Sequence, residues 1–381
     1  MLYKVYRSLK EHTESWDSLL PANHHLRSEQ LLPLELCSLR DLGFSYVFFY
    51  RDLAAAPLAI AYFQHVHFTT RHYQYPLLKN KLLAVAEKSL MRRGYHILVC
   101  GNLFRIDFPG IFHGNSTDLL PEIFETLEKY YATLRPVPHA ILIKDFRKDS
   151  ANYWVPQFHY RIWPGDLTMK LDLNPEWRHF SDYVAALKHK YAQRVRRIQN
   201  RALSLERREL ELADLIKYGD RLETLLGHVV SRQTIRLVIA NQTYFWQMKK
   251  LHGATFRVIG YFDHNELIAF SSHILHTACW ELHYIGMDYS KNEKFLLYFN
   301  MMYDGIAMAI ENKKPAVELG RTAREAKSML GAKPIYFSSY FKLRGWLVNL
   351  LVSRFADSFN KRAGEKWQER NPFKSPVNKV R

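Results

Sequence analysis

The stretch 267–288 concentrates the side chains best suited to move protons. Two β-rich runs, 267–275 and 280–288, flank His276-Thr277-Ala278 and read as a hairpin. Side chains alternate along a strand, so a turn centred on Thr277 sets His273 opposite Glu281 and Ser271 opposite His283. These four then share one face, and Ile268, Phe270, Ile274, Leu282 and Tyr284 make the other, which is core-like. Two imidazoles beside a carboxylate are a general acid–base set, with His283, His273 and Glu281 as the catalytic candidates. The structural alternative is that Glu281 pairs with His273 on a solvated face. Tyr284 and Tyr289 add phenols near pKa 10, acids suited to a departing thiolate or alkoxide, unless they only pack. Arg321 and Lys327 follow Glu318 in a strand-to-helix turn. An Arg fork there suits a phosphate or carboxylate, and an ion pair with Glu318 or Glu325 is the alternative.

The elements that must position these groups form two alternating series. In the first half, short β-rich runs at 2–6, 45–50, 58–67, 95–100 and 140–144 surround helical stretches at 8–20 and 117–134. The second helix carries Leu120, Ile123, Phe124, Leu127 and Tyr131 on its inner face and Pro121 in its first turn. A boundary is expected at 147–167, where a polar run is followed by Trp163-Pro164-Gly165-Asp166 turn chemistry. The second half opens with a strand at 168–173, a long cationic helix at 175–202, and helices near 211–231 and 241–251. A three-strand meander follows (256–262, 267–275, 280–288), then a helix at 295–311, a strand at 316–320, a short helix and a strand at 334–343. This predicts a mixed α/β sheet in each half. No glycine-rich loop follows its first strand, and no GxSxG, HExxH or kinase signature occurs.

Three segments carry a family resemblance. Residues 280–310 run from a strand ending in small residues through a short loop into an aromatic-rich helix. In residues 317–334, Lys327 and Gly331 fill a K-x-x-x-G turn after a strand. Residues 168–202 place Tyr191-Ala-Gln-Arg194-Val-Arg196-Arg197 on the helix after a strand. Together they resemble the FemAB-like branch of the GNAT acyltransferase superfamily, best over 168–343. The resemblance implies two GNAT-like domains: a degenerate one at 1–150 and an acyltransferase domain at 167–345. It also implies transfer of an acyl group from acyl-CoA or an acyl carrier protein to the amine of a large or amphiphilic acceptor, such as a long-chain amino lipid or a cell-wall precursor. An aminoacyl-tRNA donor is one alternative, and an inactive GNAT-like module that binds nucleic acid or membrane is another. GNAT enzymes ordinarily cradle the coenzyme A pyrophosphate on the amides of a Q/R-x-x-G-x-G/A loop. Residues 288–295 hold no glycine, so the helix beginning near Phe295, with Lys291, Lys294, Arg321 and Lys327, is expected to take the donor's phosphates.

Charge and composition agree with an anionic partner. The 381 residues hold 54 Lys plus Arg against 37 Asp plus Glu, a net charge of +17. That excess suits tRNA or an anionic membrane surface. Lys190, Arg194, Arg197 and Arg201 recur at helical spacing as one stripe, with Leu187, Tyr191, Val195 and Ile198 behind them. The stretch 345–370 reads as an amphipathic helix through Trp346, Leu350 and Phe359, ending in Lys361, Arg362, Lys366 and Arg370, within a basic tail at 346–381. The apolar face of that helix docks either on the core or on a membrane. Three scattered cysteines, Cys37, Cys100 and Cys279, offer neither a disulfide framework nor a metal-ligand spacing, so no metal and no tightly held cofactor are expected. With no signal-like or spanning segment, a cytoplasmic protein is expected, at most peripheral at the inner membrane face.

Overall fold

Alternating aromatic and β-branched residues build each sheet, and apolar helix faces cover it. The computed structural model describes residues 1–72, 92, 94–114, 116–147, 158–233, 236–344 and 367–374. The chain forms two units: Met1–Asp166 with Gln233–Asn241 and Tyr336–Glu365, and Leu167–Arg232 with Gln242–Ile335 and Lys366–Arg381.

In the first unit, β1 (Leu2–Tyr6), β2 (Leu42–Tyr50), β3 (Ala59–Phe68), β4 (Tyr95–Cys100), β6 (Ala140–Arg147) and β13 (Lys333–Leu343) lie in that order, and β5 (Ile111–Phe112) adds to β3. β4 and β6 are parallel, joined through α3 (Leu120–Thr133). The expected inner face of α3 is buried against Val47, Phe49, Ala61 and Phe63. The opposite sheet face is covered around α1 (Thr13–Asp17) and α2 (Ser28–Leu36), where Trp16 and Leu31 meet Tyr46, Phe48 and Tyr62. The helix expected at 8–20 is therefore only the single turn of α1, and α2 was not anticipated. At the end of the parallel pair, the buried Lys144 ammonium donates to the carbonyls of Asn102 (2.6 Å) and Arg105 (3.3 Å). It also pairs with Asp145 at 3.1 Å.

In the second unit the order is β7 (Arg161–Asp172), β12 (Ala316–Glu318), β11 (Trp280–Met287), β10 (Glu266–Leu275), β9 (Phe256–Asp263) and β8 (Glu206–Glu209). β9, β10 and β11 are the expected antiparallel meander. β11 and β12 are parallel. Between them come α9 (Tyr289–Phe295) and α10 (Leu297–Glu311), and α11 (Arg324–Ser328) follows β12. Residues 163–166, expected as a turn, lie within β7. The helix expected at 175–202 is two: α4 (Phe180–Ala186) and α5 (His189–Arg201). They part because Leu187 bridges Phe373 and the Lys188 N–H donates to Pro372 O at 2.8 Å. α6 (Leu212–Lys217), α7 (Gly219–Val230) and α8 (Gln242–His252) complete the unit.

The expected C-terminal helix falls largely at 345–366, outside the described residues, with Trp346, Leu350, Phe359, Lys361, Arg362 and Lys366. Its end is not helical. Residues 367–370 carry no regular structure; Trp367 and Phe373 pack on the second core, and Arg370 pairs with Glu325 at 2.7 Å. Among the described residues no helix is long and apolar enough to cross a membrane.

Candidate active site

The β10–β11 turn decides which polar groups meet. Leu275 is paired with Trp280, and the loop between them closes with the His276 N–H on Cys279 O at 2.9 Å. The loop thus holds four residues, and His273 lies opposite Leu282 rather than Glu281. A one-residue slip moves a side chain to the other face. His273 and Leu282 therefore face α10, where a Cβ on Gly305 would touch both. There His273 accepts the Trp280 indole N–H at Nδ1 (2.9 Å), and its Nε2 meets Ser271 Oγ at 2.9 Å. Burial pulls this imidazole down to about 3, so it stays neutral. The expected grouping of His273 and Ser271 with Glu281 does not form.

A β-bulge compensates on the other face. Ser271 pairs with Ile285 and His273 with Leu282, so Ser272 alone opposes both His283 and Tyr284. Its hydroxyl accepts the Tyr284 N–H at 3.0 Å. The extra residue turns both rings toward α8, so Tyr284 joins Glu281 and His283 instead of the apolar face expected for it. Tyr284 packs edge-on against Tyr244 and Phe245.

Glu281 is buried, and its two oxygens are divided between histidines. Oε1 meets His283 Nδ1 and Oε2 meets His276 Nε2, each at 3.0 Å. The far nitrogen of His283, Nε2, lies 2.7 Å from the Tyr244 hydroxyl. An ionised Glu281 holds the His283 proton on Nδ1, leaving Nε2 to accept from Tyr244. The His283 side chain is 1% exposed and that of His276 23%, so the relay runs from the interior to a half-buried end. Burial pushes the Tyr284 phenol well up, keeping it protonated. Tyr244 and His276 were not anticipated. His276 sits in the turn, and Tyr244 is brought in by a helix far away in sequence.

Beside this relay the sheet opens. Glu281 and Glu318 are neighbours in the parallel register, and the β11–β12 ladder stops there. β12 follows β7 instead, with the Leu319 N–H on Met169 O (2.8 Å) and the Met169 N–H on Gly320 O (3.2 Å). β11 runs on to Met287 with no strand partner on that edge among the described residues. Glu318 accepts the Thr168 hydroxyl at 2.8 Å. Lys327 is 3% exposed, and burial pulls its ammonium down to about 7 while Glu318 acts the other way. A Cβ on Gly320, whose φ is +81°, would lie 3.6 Å from Lys327 Nζ. Arg321 follows, half-buried.

The remaining candidates lie elsewhere in this unit. Lys291 and Lys294 stand on α9 and both reach Asp263, at 3.5 and 3.7 Å. On α5, Arg194 lies over the Phe299 ring and Arg201 donates to Glu293 O at 3.0 Å, whereas Lys190 and Arg197 are exposed. The stripe is thus divided between packing and solvent. Tyr289, the other phenol, lies under the Arg232 guanidinium.

No family model matches the sequence, and no curated protein matches it. Solved structures do. FemX aligns with a TM-score of 0.55 over 92% of this chain and 100% of its own, at 10% identity. L-PGS from Bacillus licheniformis aligns with a TM-score of 0.50 over 91% and 96%, at 12% identity. A tandem GNAT protein from the clavulanic acid biosynthesis pathway aligns over 90% and 99% with a TM-score of 0.49, at 10% identity. At such identities the likeness is one of fold: this chain shares the fold of FemX and L-PGS.

Proposed function

We propose that the chain is an N-acyltransferase that joins an activated acyl group to an amine acceptor at the opening between β11 and β12. The observation that carries the reading is the buried Glu281–His283–Tyr244 relay, with Tyr284, at the point where the parallel ladder ends. An ammonium acceptor must lose a proton before it attacks. His283, held by Glu281, takes that proton, directly or through Tyr244. The amine nitrogen then bonds the acyl carbon, and backbone N–H groups on the unpaired edge of β11 stabilise the oxyanion. The C–S bond of a thioester breaks as the tetrahedral centre collapses, and His283 returns the proton it took to the departing sulfur, while Tyr284, a weaker acid for being buried, stays protonated as a hydrogen-bond donor beside it. Lys327, its ammonium pulled down to about 7 beside Glu318, accepts the second proton that the nitrogen loses on becoming an amide. Transfer chemistry is assigned to the second unit alone. In the first, the end of the parallel pair is filled by the 102–108 loop, tied down by Lys144 and by the Phe108 N–H on Asp145 (3.2 Å).

The acceptor class proposed is a large or amphiphilic amine, such as a long-chain amino lipid or a cell-wall precursor, met at an anionic surface by the exposed cations Lys190, Arg196 and Arg197. An aminoacyl-tRNA donor would use the same steps with an ester in place of the thioester. The test is mass-spectrometric detection of amide product when the full chain is offered acyl thioesters, charged tRNA and a panel of amines. Glu281→Gln and His283→Gln should each lower turnover by about a hundredfold. Product formed equally well by both variants removes the relay from the mechanism. No product from any donor leaves a binding module.

A further inference from the structure

The GNAT fold implies coenzyme A, with its pyrophosphate on free amides at the head of the helix that comes after the strand matching β11. The residues present do not fit that group. Three N–H donors in the first turn of α10 are occupied: that of Tyr298 donates to Asn292 Oδ1 at 3.1 Å, and those of Phe299 and Asn300 both reach Leu296 O at 3.1 Å. Leu296 is in the left-handed conformation, and Phe295 and Leu297 are buried, because α9 is folded over the entry to α10. The place of the expected phosphate loop is thus taken by a helix. The head of α9 carries a carboxylate of its own. Asp288 Oδ1 accepts the Ser290 N–H (2.9 Å) and hydroxyl (2.7 Å), which hold it ionised. A diphosphate approaching there meets like charge. Lys291 and Lys294 are turned to Asp263. Arg232 is one cation nearby, but its guanidinium carbon stands over the Tyr289 ring, 3.4 Å from the ring centre.

We infer that this chain takes its acyl donor without gripping a nucleotide diphosphate at the head of α10, so that the donor class is an acyl group on a carrier that lacks one. The inference rests on the acyl-transfer reading above and narrows its donor. Two measurements on the full chain separate the two claims. Calorimetric titration with 3′-phosphoadenosine 5′-diphosphate, the nucleotide part of coenzyme A, should show no saturable binding below about 1 mM, and micromolar binding overturns the inference. With an amine that turns over, octanoyl-CoA and octanoyl-pantetheine should have kcat/KM values within about threefold, because nucleotide contacts that are not made add nothing to transition-state binding. A loss of roughly tenfold or more on removing the nucleotide also overturns it. If neither thioester turns over, the thioester version of the reading fails, and the titration alone still decides whether a nucleotide site exists.

Discussion

Lys327→Met gives the sharpest test of the buried charge beside Glu318. Lys327 is 3% exposed and its ammonium is pulled down to about 7, against about 10.4 in the unfolded chain. Between those values the unfolded chain binds the extra proton, so stability rises with pH, by at most about 1.4 kcal/mol per unit. Integrated from pH 7 to 9, this one group contributes a rise of about 2 kcal/mol, which Lys327→Met should abolish. Glu318→Gln removes the charge that props Lys327 up, so the same rise should begin at lower pH. The assay is urea unfolding of wild type and Lys327→Met at pH 7, 8 and 9, following the transition that reports the buried Trp280. Subtracting the variant cancels every other titrating group. A wild-type minus variant difference that is flat or falls with pH would refute the argument, since a charged, solvated Lys327 gives no slope there.

Three further outcomes follow from named contacts. Tyr244→Phe deletes the hydroxyl at His283 Nε2, and should cost about 1 kcal/mol in stability and about tenfold in turnover, read by unfolding and by initial rates. Gly331→Ala forces a Cβ into the Phe373 ring at a φ of +95°, so 2 kcal/mol or more is expected, on the order of a strained, overpacked site, with trypsin cutting faster at Arg370 and Lys374. Lys144→Met removes the cation beside the buried Asp145 and should destabilise the first unit by roughly 3–5 kcal/mol, seen as an earlier transition in calorimetry.

Much of the scaffold was legible because its periods are local. The meander, the inner face of α3 and the apolar partners of the α5 stripe follow from alternation or from helical spacing, which hydrophobic burial enforces residue by residue. What escaped depends on a partner elsewhere. Nothing in 288–295 announces that it would coil into α9 rather than form a loop, because Asp288 and Ser290 could equally close a turn. The break between α4 and α5 requires Pro372 and Phe373, nearly two hundred residues on.

The site shows the same division more sharply. Glu281 and His283 share a face by simple alternation, so their meeting is legible without any partner elsewhere. His273 was grouped with them on a turn one residue out, and a slip of one is enough to send an imidazole through the sheet. Tyr284 was assigned to the core for the opposite reason: strict alternation has no place for the bulge at which Ser272 opposes two residues. That bulge is also what makes the constellation. Without it Tyr284 would point at α10, and the Glu281–His283 pair would lack a phenol on its own face, with Tyr244 reaching it only from α8. The irregularity lies just past the end of the β11–β12 ladder, where a strand no longer needs to match a neighbour on that edge and a kink costs no ladder bonds on it. The opening and the bulge are thus two results of one topological fact, the divergence of β12 toward β7, and the chemistry proposed sits where both occur.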